Sequence, residues 1–217
     1  MKNTPFIAVT SQPVPYHADT TAIFNTLCQQ NSNSLLLDSA EIGSKNSLQS
    51  LILINAAVKI TCLGNQVTFR ALNANGKQVL KEIHPVLSQL GTVSAVNFDN
   101  EFSVQFAPLD NQLDEDSKLQ AATIFDGLRV ISNHYQHSST PVFLGGLFAY
   151  DLVANFIPMQ GVELKDDGIH CPDYSFYLAE NLITIDHQSQ QATLKSFCFS
   201  QEEQVEVAKT ALSIAQK

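Results

Sequence analysis

The sequence predicts an α+β fold. Three observations carry that reading. Between Leu51 and Leu72 the chain runs through three β-branched, apolar segments. A second β pair, Phe176–Asp186 and Ala192–Phe199, flanks the polar stretch Gln188–Gln191. The helical patterns do not alternate regularly with these strands, which is the mark of α+β rather than α/β order. The 217 residues are 44% hydrophobic and 15% charged, enough for one large domain or two small ones.

Taken in order, residues 19–30 have the first helical pattern, with Ile23, Phe24, Leu27 and Cys28 at helical spacing and Asp19 or Thr20 as the cap. Leu35–Leu37 reads as a short buried strand, and the polar stretch Glu41–Gln49 as a loop. Leu51–Ile54, Val58–Leu63 and Gln66–Leu72 read as strands, the last two joined by Gly64-Asn65, a hairpin dipeptide. Asn73–Gly76 reads as a polar turn. Lys77–Leu90 has helical spacing, and Pro85 should end or kink it near Ile83-His84, because proline lacks the helical donor. Phe102–Phe106 reads as a strand. Asp114-Glu115-Asp116 precedes a helical pattern reaching Ile131, where carboxylates favour the positive end of the helix dipole, so capping explains them better than metal binding. Val142–Phe148 is a strand whose Gly145 and Gly146 permit a bulge or a close backbone approach, and Ala149–Val153 can turn helical. Lys165–Asp173, with the solvated turn Asp166-Asp167-Gly168, reads as a loop, and Glu202–Gln216 as the last helix.

Composition excludes some classes of function. The net charge is −9, and the 12 Lys and Arg residues are spread, which argues against a nucleic-acid or anionic-membrane surface. Cys28, Cys62, Cys171 and Cys198 lie far apart with no CxxC pair, as expected of reduced core residues rather than a zinc site. The first residues carry no apolar run of signal-peptide length, and nothing approaches the roughly 20 apolar residues of a membrane span. The expectation is a reducing, cytoplasmic setting.

The usual enzymatic signatures are missing: no P-loop, GxGxxG, GxSxG or HExxH occurs. His134 and His137 are three apart near a helix end, where a cation complementing the dipole is favoured over half of a metal site. No catalytic residue and no metal ligand stands out. The most informative stretch is Leu35–Ala40, where a strand delivers Asp38 and Ser39 side by side at its C-terminal end. Asp-Ser in that place reads first as a turn or cap, and second as a carboxylate and a hydroxyl held by rigid backbone for a small polar ligand.

Several segments, in order, resemble a known family. Leu35-Leu36-Leu37-Asp38-Ser39-Ala40, Ser44-Lys45 and Ser50-Leu51-Ile52-Leu53 are similar to the N-terminal region of anthranilate synthase component I. Phe143–Val153 resembles its second hallmark, and Leu113–Asp116, Phe125-Asp126, Cys171-Pro172-Asp173, Phe176–Glu180 and Ile185–Gln188 agree in order. Nearly the whole chain is covered. The resemblance implies antiparallel-rich, β-sandwich-like sheets flanked by helices, within one N-terminal domain over 1–217. It implies a parent lyase that makes anthranilate and pyruvate from chorismate and ammonia in tryptophan biosynthesis. That parent uses Mg²⁺ and a glutamine amidotransferase subunit, and its catalytic half lies outside this chain. The chain alone is then expected to be inactive, without a cofactor of its own. The same resemblance implies a share in the feedback site for tryptophan, carried by Leu37, Asp38 and Ser39. Gln49 stands where the family often has lysine, and it keeps hydrogen bonding but not charge. Two alternatives are a docking module for the amidotransferase subunit and the equivalent portion of aminodeoxychorismate synthase.

Overall fold

The computed structural model describes residues 5–29, 31–38, 48–97, 100–108, 114–138, 140–156 and 171–216. The strands are β1 (Ala8–Val14), β2 (Leu35–Asp38), β3 (Gln49–Leu63), β4 (Gln66–Ala71), β5 (Thr92–Asn97), β6 (Glu101–Gln105), β7 (Leu144–Phe148), β8 (Tyr174–Asp186) and β9 (Gln191–Cys198). The helices are α1 (Thr20–Cys28), α2 (Ala74–Leu87), α3 (Glu115–Gln120), α4 (Asp126–His134) and α5 (Gln204–Ala215). Among the described residues the strands form one nine-stranded sheet, in the order β1-β9-β8-β3-β4-β6-β5, with β2 added on β3 and β7 on β8. Every pairing is antiparallel. The α+β class and antiparallel pairing are those expected from sequence.

The long strand β3 organises the molecule. Its successive side chains point to opposite faces, and they join different cores. Leu51 and Leu53 pack into a cluster with α2 and α4, while Ile52 and Ile54 pack into a second cluster with Cys28 of α1 and Ala211 of α5. Each such aliphatic side chain contributes about 1.5–3 kcal/mol by leaving water. The two clusters explain why β3 and β8 read as nearly continuous apolar runs: both faces are covered.

The structure departs from the sequence reading in several places. β3 is one strand of 15 residues, not two, because irregular register against β8 between Leu53 and Val58 absorbs Asn55 without ending the strand. Gln49, expected at the end of a loop, opens β3 opposite Asp186. Asn73–Gly76 is the start of α2: the Asn73 side chain caps Gly76 N–H at 2.8 Å, and the helix runs past Pro85 to Leu87. The pattern from Asp114 to Ile131 is two helices, α3 and α4, separated at 121–125. Strands β1 and β5 were not evident from sequence. In β1 the polar residues and Pro13 hide the pattern, and Pro13 is tolerated because β1 lies at the sheet edge.

Other expectations hold. Asp19 caps α1 by accepting from Ala22 N–H at 2.9 Å. Asp114 caps α3 by accepting from both the amide and the hydroxyl of Ser117, which holds its carboxyl below the usual range. Gly146 allows the close approach of β7 to β8: a Cβ there would lie 2.1 Å from the Ser175 carbonyl oxygen. Tyr150–Asn155 forms a 3₁₀ turn. The turn expected at Asp166-Asp167-Gly168 and the loop up to residue 170 lie outside the described residues.

Candidate functional site

The end of β2 is built by its pairing with β3. Asp38 lies opposite Ser50, and Leu37 opposite Leu51. Asp38 is exposed, but both of its oxygens are held from below. Oδ1 accepts from the Ser50 hydroxyl at 2.5 Å, and Oδ2 accepts from Thr20 Oγ1 at 3.2 Å. Ser50 is fully buried and Thr20 is 5% exposed, so water does not compete from beneath.

The chain of contacts continues beyond Ser50. Ser50 Oγ lies 2.7 Å from His187 Nε2, and His187 Nδ1 lies 3.3 Å from the Tyr16 hydroxyl. The Tyr16 and His187 rings meet edge to face, 5.9 Å apart. The backbone N–H of His187 donates to the Leu48 carbonyl at 2.9 Å, which fixes the imidazole just after β8.

A count of protons orients this chain. Ionised Asp38 only accepts, so the single Ser50 proton goes to Oδ1. Ser50 Oγ must therefore accept from His187, which assigns the proton of that imidazole to Nε2. In the neutral ring Nδ1 is then an acceptor for Tyr16. The order is carboxylate, hydroxyl, imidazole. A nucleophilic triad needs the imidazole in the middle, taking the hydroxyl proton. Here the hydroxyl faces the carboxylate and is sealed from solvent, so the arrangement orients Asp38 and does not activate Ser50.

The residues singled out in the sequence fall on two faces. Leu37, 40% exposed, and Gln49 share one face of the β2–β3 pair, with Leu51 between them. Asp38 and Ser50 share the other, beneath the start of α1. Ser39 lies outside the described residues. Sequence reading missed Thr20 and Ser50 as partners of Asp38, and His187 and Tyr16 as the groups behind Ser50. His187 is 137 residues from Ser50, and only the β3–β8 register, Ser50 opposite Ile185, brings them together.

Tyr16 also lines an apolar cavity of about 250 Å³, with Ile23 and Leu27 of α1, Ile185 of β8 and Ile214 of α5. The other polar clusters join elements. His134 ends α4 and pairs with Glu82 of α2 at 3.0 Å, and the Tyr135 hydroxyl donates to the same oxygen at 2.9 Å. Glu180 accepts from Asn73 and Asn75, each at 2.9 Å. Cys28, Cys62 and Cys198 are buried thiols, as expected, and burial pushes Cys62 up to about 12. Cys171 departs from the expectation and is exposed. Among the described residues no three His, Cys, Asp or Glu side chains are grouped to hold a metal ion, and no helix is long and apolar enough to cross a membrane.

No protein-family model matches the chain. Curated proteins do. The chain is 85% identical over 212 residues to anthranilate synthase component 1 of Haemophilus influenzae, covering 98% of this chain and 41% of that protein. It is 44% identical over 202 residues to the Vibrio cholerae component 1, covering 92% and 38%. Against the Escherichia coli component 1 it is 36% identical over 199 residues, covering 90% and 37%. The chain spans about two-fifths of the length of these relatives. Along nearly all of its own length, the chain is similar to a portion of anthranilate synthase component 1 from these organisms.

Proposed function

We propose that this chain is the part of an anthranilate synthase component 1 that presents an amino-acid site at the end of β2, with tryptophan as the ligand. The observation that carries this is the Asp38 carboxylate: exposed at a strand end, yet held at both oxygens by Ser50 and Thr20. Among the described residues each oxygen accepts one hydrogen bond, so the group is an oriented acceptor with capacity for an α-ammonium. A ligand lying past the end of β2 meets Asp38 on one side and Leu37 and Gln49 on the other. Gln49 supplies amide hydrogen bonds there and no charge. Ser39 follows Asp38 directly and adds a hydroxyl.

Under this reading tryptophan binds more tightly to a low-activity arrangement of the longer protein than to the active one, which is what feedback inhibition requires. The conversion of chorismate and ammonia to anthranilate and pyruvate belongs to parts beyond this chain, with ammonia delivered by a glutamine amidotransferase subunit. Co-elution of that subunit with the full-length protein checks the partnership, and separate elution contradicts it. Among the described residues no group of three His, Cys, Asp or Glu side chains offers a donor set for Mg²⁺.

Calorimetric titration of L-tryptophan into the full-length protein tests the site. Asp38→Asn keeps the shape and removes the charge, and is expected to weaken binding about tenfold, the scale of one sheltered charge-assisted hydrogen bond. Equal affinity in wild type and Asp38→Asn contradicts the assignment of Asp38.

A further inference from the structure

We propose that the cavity between α1 and α5 is a binding site for a small, uncharged aromatic molecule of two fused rings carrying one N–H or O–H group. The floor is the face of the sheet that carries Ile183 and Ile185 of β8 and Ala192 of β9. One wall is α1, the other is the end of α5, and the stretch Val14–His17 lines a third side. Alanines on the floor and both walls make the space. Ala192 sits in the sheet between Val14 of β1 and Ile185 of β8. Ala22 faces the cavity from α1 and Ala215 from α5. Ile23, Leu27 and Ile214 border the same space and stay only half-buried, although aliphatic side chains gain by leaving water. A molecule seated there covers them. An apolar cavity of roughly 150 Å³ takes up one benzene, so about 250 Å³ suits about ten ring atoms.

The polar groups fix the chemistry of the ligand. Among the described residues no Lys, Arg, Asp or Glu lines the cavity, so a charged molecule would lose its hydration without gaining a partner. That excludes an amino acid and separates this cavity from the site proposed at the end of β2. Three polar side chains line it, and two of them have capacity left. The Thr26 hydroxyl already donates to the Ala22 carbonyl at 2.8 Å. The Tyr16 hydroxyl donates to His187 Nδ1 at 3.3 Å, which leaves its oxygen as an acceptor. His17 is exposed, and its Nδ1 accepts from the Asp19 N–H at 3.2 Å, which puts the ring proton on Nε2 at the solvent edge. Half-buried Tyr16 therefore selects a ring that carries a donor. Apolar walls with one or two placed polar groups are the usual make-up of a small-molecule pocket. A ligand against Ile214 and Ala215 also secures α5, whose buried residues are Val207 and Ala211 alone among its 12.

The test titrates two probes into the full-length protein, 2-naphthol and naphthalene, which share the ring system and differ in the hydroxyl. The readouts are the Kd by fluorescence and the melting temperature. Wild type is expected to bind both, to prefer 2-naphthol by about fivefold, the scale of one neutral hydrogen bond, and to melt higher with either probe present. Tyr16→Phe keeps the ring and removes the oxygen, and is expected to bind the two probes equally. Ala215→Leu fills the cavity from α5, and Ala22→Leu fills it from an exposed position on α1. Each is expected to weaken both probes at least tenfold without lowering the melting temperature of the free protein, since filling a cavity adds contacts. Ala22→Leu keeps the test standing if Ala215→Leu does not fold. No binding of either probe by the wild type overturns the proposal. Unchanged binding in the folded leucine variants puts the probes elsewhere and overturns it too. A preference for 2-naphthol that survives Tyr16→Phe overturns the selection of a ring donor by Tyr16.

Discussion

Glu180 and Glu82 are both screened from water, yet their carboxyl groups move in opposite directions. For Glu180, burial dominates and pushes the group above the usual carboxylate range, opposed by the Asn75 and Asn73 amides and reinforced by Glu203. A folded-state value raised above the unfolded one means that the charged form is disfavoured by folding. Stability from Glu180 is then full at acid pH and is lost as pH rises through the folded value. Glu180→Gln keeps an acceptor for Asn73 and Asn75 and carries no charge. It is expected to leave the melting temperature at pH 8 unchanged or raise it, and to flatten the loss between pH 4 and 8. A large fall at pH 8 would contradict the assignment. The same scale explains what was hidden at the candidate site. Asp38 was legible, because a carboxylate at a strand end stands out in a row of leucines. Ser50 and His187 were not: each looks ordinary in its own stretch, and only strand register joins them.

At the scale of elements, Glu82 ties α2 to α4. Burial alone raises its carboxyl, but hydrogen bonds from His134, Gln78 and Tyr135, with the charge of His134, outweigh it and hold the group below the usual range. The sign is therefore reversed from Glu180: this stability is present above the ordinary glutamate value and is lost as pH falls through the folded one. Glu82→Gln is expected to lower stability by about 1–3 kcal/mol at pH 7, the worth of hydrogen bonds to a charged group. It should also remove part of the acid-side slope in thermal melts followed by circular dichroism. An unchanged slope would show that the α2–α4 tie does not depend on this charge. Elements with strong periodicity were legible, including α1, α5, the Gly64-Asn65 hairpin and the β8–β9 pair. The start of α2 was not, since Asn73–Gly76 has turn composition and becomes helical only because Asn73 caps it and Gly76 packs on β3. A Cβ on Gly76 would lie 1.9 Å from the Ala57 carbonyl oxygen, so that packing demands glycine. In β1, alternating polar residues and Pro13 concealed a strand that pairs with β9 from Ala8 to Val14.

For the whole molecule, one curled antiparallel sheet with helices on both faces places the end of β2 beside the start of α1, and the relay through Ser50 runs between them. The fold class was legible from composition and strand pattern. The single-sheet topology was not, because it depends on β3 and β8 pairing across more than a hundred residues. The proposed site depends on Asp38 receiving an ammonium group. The direct measurement is a cycle of two ligands and two proteins: calorimetric titration of L-tryptophan and of indole-3-propionate, which lacks the ammonium, into full-length wild type and Asp38→Asn. Wild type is expected to prefer tryptophan by about tenfold or more, and Asp38→Asn to lose most of that preference. The same preference in both proteins would contradict the claim.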